Sequence, residues 1–190
     1  MKNILRNSLV IAGLLLSVSA AQASDTYAID PNHTSVVWTI NHFGFSHPWG
    51  KFSLITGSLD LDDQTPQNTK LFVTIPIANL YTGVEKLDEH LKSKTFFDME
   101  SFPTATFIST RVTPTGKDTA TVDGTLTLHG VAKPMTLYVT LNKIGKNMMG
   151  KQTAGFSATA TIKRSDYGIN AYLPDLGDEV KLFIESEANL

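Results

Sequence analysis

Thr82–Phe107, TGVEKLDEHLKSKTFFDMESFPTATF, decides how the rest of the chain is read. Thr82 stands three residues before Glu85, the spacing of a capping box at a helix start. Val84, Leu87 and Leu91 recur at helical period, with Glu85, Lys86, Glu89 and Lys92 on the other side. Phe96, Phe97, Met99 and Phe102 follow before Pro103, which predicts one helical segment around residues 84–99. The sequence on both sides alternates with a period of two. A single amphipathic helix with an aromatic tail, inserted in a β chain, has the form of a lid, and a lid implies a cavity.

Working outward, the alternation predicts eight strands, over Ser35–Ile40, Lys51–Leu61, Lys70–Ile77, Thr104–Thr113, Thr119–Leu128, Met135–Lys143, Gln152–Lys163 and Glu179–Glu187. Inward faces follow from parity: Val36, Trp38 and Ile40; Leu71, Val73, Ile75 and Ile77; Ala105 and Phe107; Val122, Leu126 and Leu128; Met135, Leu137, Val139 and Leu141; Phe156, Ala158, Ala160 and Ile162; Val180, Leu182 and Ile184. Gly57 reads as a bulge or bend, and His129–Pro134 as a turn. Short turns and about eight antiparallel strands fit an up-and-down barrel or a sandwich. An eight-stranded barrel can hold one small ligand.

Residues 1–23 carry the three parts of a secretory leader: Lys2 and Arg6, an apolar run from Ser8 to Val18, and Ala21-Gln22-Ala23 as a cleavage site. Cleavage after Ala23 leaves residues 24–190 as one domain with a periplasmic address. That portion has 14 Lys+Arg against 18 Asp+Glu, a net charge of −4, which argues against a nucleic-acid partner. The absence of cysteine excludes thiol catalysis, CxxC redox chemistry and c-type haem attachment. His33, His42, His47, His90 and His129 show no metal-ligand spacing and read as partners of backbone groups, with a zinc site from His42, His47 and His90 as the competing reading. No metal or cofactor is expected. No G-x-S-x-G elbow marks a hydrolase. Lys51, Lys92, Lys94, Arg111 and Arg164 are available to a phosphate but read individually as solvated surface charges.

Several blocks then converge on one family. Ile29-Asp30 precedes His33-Thr34 and Val36; Asn41-His42 precedes Gly50-Lys51-Phe52; His90-Leu91-Lys92-Ser93 precedes Phe96-Phe97-Asp98. Phe102–Phe107, Gly124–Pro134, Gly155-Phe156 and Arg164–Ile169 complete the series. In this order and spacing the chain after the leader resembles the YceI family, the periplasmic polyisoprenoid-binding group. It departs from ordinary lipocalins in lacking their Gly-x-Trp signature, and it matches the family least over 168–177. The resemblance implies an all-β fold: an eight-stranded antiparallel lipocalin-like β-barrel with the helical crossover. It implies binding of a long isoprenoid or related lipid, such as a polyprenyl phosphate or a quinone, and no catalysis.

Membrane quinone or cytochrome proteins and a homodimer are the expected protein partners. The alternatives are an extracytoplasmic enzyme acting on a small apolar substrate and an accessory module of a membrane quinone or cytochrome pathway. The candidate ligand-binding residues are Val36, Trp38, Ile40, Phe43, Phe45, Val73, Ile75, Leu91, Phe97, Phe107, Leu126, Leu137, Phe156 and Leu182. Each is also what plain barrel core would contain. Phe43, Phe45 and Trp49 stand apart because they are apolar residues in a loop.

Overall fold

The computed structural model describes residues 25–190, and the leader expected over residues 1–23 lies outside them. Its strands are β1 (Asp25–Ile29), β2 (Ser35–His42), β3 (Trp49–Phe52), β4 (Thr56–Leu61), β5 (Lys70–Pro76), β6 (Leu80–Tyr81), β7 (Thr104–Pro114), β8 (Thr119–Leu128), β9 (Val131–Lys146), β10 (Gln152–Lys163) and β11 (Leu176–Asn189). One helix, α1 (Glu85–Lys92), interrupts them.

Eight staves close a ring, because three of them are broken in two. β1 and β2 both pair with β11, through Ile29↔Ala188 and through Ser35↔Glu185 to His42↔Leu176. β3 pairs with β2 and β4 with β1; β5 pairs with β4 and β6 with β3. From β7 to β11 each strand pairs with its sequence neighbour, all antiparallel. The result is a closed eight-stranded antiparallel barrel, in which no full-length edge is left unpaired. The ring is complete along β5–β7 as far as Pro76↔Thr104, and Ile77 N donates to Pro103 O at 2.9 Å just beyond. There Ile77–Asn79 turns away from β7. α1 and the segment after it occupy the chain between β6 and β7.

Local chemistry explains the breaks better than the alternation does. Gly57 makes neither bulge nor bend; its pairing with Val73 is in register, and a Cβ there would lie 2.0 Å from Phe72 O. The glycine permits close approach of two strands. The break comes between β3 and β4, where Leu54 takes φ 54°. The expected turn over His129–Pro134 shrinks to His129-Gly130, both with positive φ, as a two-residue hairpin requires. Pro134 is therefore inside β9, paired with Thr125.

The helix is also shorter than expected. Thr82 does not close a capping box with Glu85; its N and Oγ1 both donate to Asp88 Oδ1, at 2.7 and 2.6 Å. α1 stops at Lys92, where Ser93 Oγ donates to His90 O. The aromatic tail then runs in turns held by its own backbone: Phe97 N to Leu91 O, Asp98 N to Ser93 O and Phe102 N to Asp98 O.

Candidate functional site: a barrel hollow at one end

The interior divides into two zones. At the end holding the β9–β10 turn and the C-terminus, Tyr27, Ile29, Leu59, Ala154 and Ala188 are buried together with Ile144 and Phe156 against them. In the middle, Phe107, Val112, Val122 and Leu137 fill the bore, and Val73 packs on them. The Phe107 ring lies so close to β8 that a Cβ on Gly124 would fall 2.3 Å from it. The other end is empty. A cavity of about 570 Å³ opens there, within the usual range for small-molecule sites.

Each side of this cavity comes from a different part of the chain. β2 supplies Val36, Trp38 and Ile40, and β5 with its following turn supplies Ile75 and Ile77. β7, β8, β10 and β11 add Ala105, Leu126, Leu128, Ile162, Val180 and Leu182. α1 and its tail cover it with Leu87, His90, Leu91, Phe96 and Phe97. Phe97 meets Phe52 edge-on at 5.5 Å, and Phe96 meets His90 edge-on at 5.1 Å. The rim is completed by the β2–β3 hairpin, with Phe43 and Trp49, and by Tyr172 of the loop before β11.

The hairpin is tightly held. His42 N donates to Ser46 O, Phe45 N to His42 O and Gly44 N to Asn41 Oδ1. Trp38 fits because position 50 is glycine: a Cβ there would sit 2.2 Å from the indole. The Trp38 Nε1 donor is buried without a hydrogen-bond partner, a cost that the surrounding packing must offset.

Nine of the fourteen sequence candidates meet at this cavity: Val36, Trp38, Ile40, Phe43, Ile75, Leu91, Phe97, Leu126 and Leu182. Val73, Phe107 and Leu137 pack in the filled middle, Phe156 packs at the far end, and Phe45 is 91% exposed at the hairpin tip. Sequence reasoning named Ile162 and Val180 as inward without choosing them for the site. It missed the rim residue Tyr172 entirely.

Arg164 is the larger correction. Read as a surface charge, it is buried at 4% exposure and lines the cavity. Parity could have found it, since it continues the inward series Ala160, Ile162 beyond the end of β10. Its Nε donates to Gly177 O at 2.7 Å, Nη1 to Ile169 O at 2.8 Å and Nη2 to Leu176 O at 2.8 Å. These bonds fasten the loop that carries Tyr172. Burial pulls the guanidinium below its ordinary pKa, and Asp178 opposes that shift. Beside it, burial pushes the Tyr167 phenol up to about 12, helped by Asp166.

His42 and His90 reach the cavity wall. Among the described residues, the His/Asp/Glu grouping whose ligand atoms lie within 4.8 Å of one another is a different one, Asp30, His33 and Glu187, at the seam between β1, β2 and β11.

A closed barrel, plugged at one end and hollow at the other with a helix across the opening, defines a lipocalin-like binding barrel. Comparison with known proteins places it further. The model of the YceI-like domain matches residues 27–188, and the chain belongs to that family. A UPF0312 protein of Pseudomonas putida (strain W619) is 40% identical over 164 residues, 85% of each chain.

Among solved structures, the Campylobacter jejuni YCEI protein aligns with TM-score 0.69 at 33% identity, covering 74% of this chain and 84% of that one. BcnA of Burkholderia cenocepacia aligns with TM-score 0.76 at 23% identity, over 84% and 98%. A domain of Saccharophagus degradans described as polyisoprenoid-binding shares the fold at TM-score 0.69 and 13% identity, over 88% and 99%.

Proposed function

We propose that this protein is a periplasmic, non-catalytic carrier that holds the apolar tail of a long isoprenoid or related lipid in the hollow half of its barrel. The observation that carries the reading is the unfilled, almost wholly apolar bore beneath α1. Each methylene moved from water into such a bore contributes about 0.8 kcal/mol, so a tail of a few prenyl units suffices for firm binding. The leader pattern of residues 1–23 supports the address, and family membership supports the ligand class.

The enzyme alternative finds less support. No Asp or Glu lines the cavity, and no serine–histidine side-chain hydrogen bond is found there among the described residues. The test is organic extraction of the purified protein followed by mass spectrometry, then titration of the emptied protein with a polyprenol or quinone. The chain has two tryptophans, Trp38 and Trp49, and both line the cavity, so their emission reports occupancy directly. Co-extracted lipid and a saturable change in emission are expected. An extract without lipid, together with unchanged emission on titration, contradicts the proposal.

A further inference from the structure

Among the described residues, the basic side chains on the cavity wall are those of His42, His90 and Arg164, and none of the lining side chains is acidic. Arg164 is the permanent cation among them. Its three partners are all backbone carbonyls, so among the described residues no contact neutralises its charge. A guanidinium has five N–H donors, and three bonds leave two unspent. The carboxylate whose charge it feels, Asp178, gives its two oxygens to Ser165, N at 2.9 Å and Oγ at 2.8 Å, and does not line the cavity. A buried cation without an ion pair is costly, and it sits here in the wall of a low-dielectric hollow where its field is poorly screened. Its position also matters. Arg164 follows the last residue of β10 at the mouth end, whereas Val36, Ile75, Leu126 and Leu182 form the apolar wall below.

Building on the lipid-binding reading, we infer that the site selects an amphiphile with an anionic head, a phosphate or carboxylate, set at Arg164 with its tail directed toward the filled half. Of the five basic residues that the sequence offers to such a head, Arg164 is the one on the cavity wall; Lys51, Lys92, Lys94 and Arg111 are not. Arg111 instead pairs with Asp123 on the outer surface, at 3.0 Å.

The test titrates the delipidated protein, by tryptophan emission, with two matched pairs: geranylgeranyl phosphate against geranylgeraniol, and hexadecanoate against hexadecanol. At least one anion is expected to bind about tenfold or more tightly than its own alcohol, as a charged hydrogen bond implies. Which anion gains more separates the phosphate source from the carboxylate source. The preference is expected to persist in K51Q/K92Q/K94Q and to vanish in Arg164→Met, whose melting temperature is measured alongside because the side chain also fastens the loop. If Arg164→Met fails to fold, the lysine variant still decides, since loss of the preference there moves the anion to the outer surface and overturns the inference. Equal binding of anions and alcohols also overturns it and leaves lipid binding standing. Binding of none of the four overturns both.

Discussion

The two halves of the bore are walled by the same eight staves, yet one is solid and the other hollow. In the filled half Phe107, Val122 and Leu137 interdigitate, and Gly124 lets the Phe107 ring press onto β8. In the hollow half the staves are broken. β3 and β6 are short, β6 is not paired with β7, and a helix with an aromatic tail stands where a strand would continue. A helix covers the end of a barrel but does not fill it. The difference teaches that the cavity lies where strand pairing is interrupted near the mouth, under a wall that still carries large side chains such as Trp38, Ile75 and Leu182.

The contrast can be broken first in the filled half. Phe107 is 2% exposed, and Phe107→Ala is expected to lower stability by about 3–5 kcal/mol in urea unfolding. A loss below about 1 kcal/mol would mean that the middle of the barrel is not close-packed. The next test inserts volume on each side of the boundary. Val122→Trp is expected to cost about 1–3 kcal/mol through overpacking. Leu182→Trp is expected to cost under about 1 kcal/mol, because the ring enters empty space, and to abolish lipid binding. Equal costs would erase the distinction between the halves.

A smaller effect concerns the seam that joins them. The His33 ring donating to the Asp30 carboxylate at 3.0 Å holds Asp30 below 3.8, against the opposing pull of burial, and further bonds from Asn32 N and Asn189 help. The same bond, with the charges of Asp30 and Glu187, raises His33 above 6.5. A depressed carboxyl stabilises the fold above its unfolded pKa and loses that contribution as pH falls through the folded value. A raised histidine stabilises below its unfolded pKa and loses that contribution as pH rises through the folded value. The melting temperature should therefore decline on the alkaline side of about 6.5 in the native chain. That decline should be missing from His33→Gln, and its persistence there would assign it to another group. The smallest effect is at the hairpin tip. Phe45→Ser should leave stability within about 0.5 kcal/mol, since the ring is almost wholly exposed.

These cases also mark what the sequence could reveal. Facing was legible throughout, because alternation survives twist and curvature, and Val36, Phe107, Leu126 and Leu182 all point inward as expected. Depth was not. Parity gives Phe107 and Leu126 the same signal, and the pairing register sets them directly opposite each other; only the cavity wall, which includes Leu126 and not Phe107, shows that one belongs to the hollow zone and the other to the solid one. β1 is missing from the sequence reading because a strand of only five residues offers little pattern; its pairing with β4 and β11 completes the ring.

The break at Leu54 carried no glycine to announce it, while Gly57 announced a bend that close strand contact explains instead. Thr82 and Glu85 matched a capping motif, but Asp88 outcompeted Glu85 for the threonine. Arg164 reads as a surface charge because a cation after a strand usually faces water; here the carbonyls of Ile169 and of Leu176 and Gly177 at the start of β11 turn inward to hold it.

The most direct test of the central claim, that an apolar tail enters the hollow half alone, is methyl NMR of the delipidated protein during titration with geranylgeraniol or geranylgeranyl phosphate. The account predicts that methyl signals of Val36, Ile75, Leu126 and Leu182 shift saturably, while those of Val122 and Leu137 stay in place. Unchanged cavity methyls at saturating lipid, or equal shifts in both sets, would contradict it.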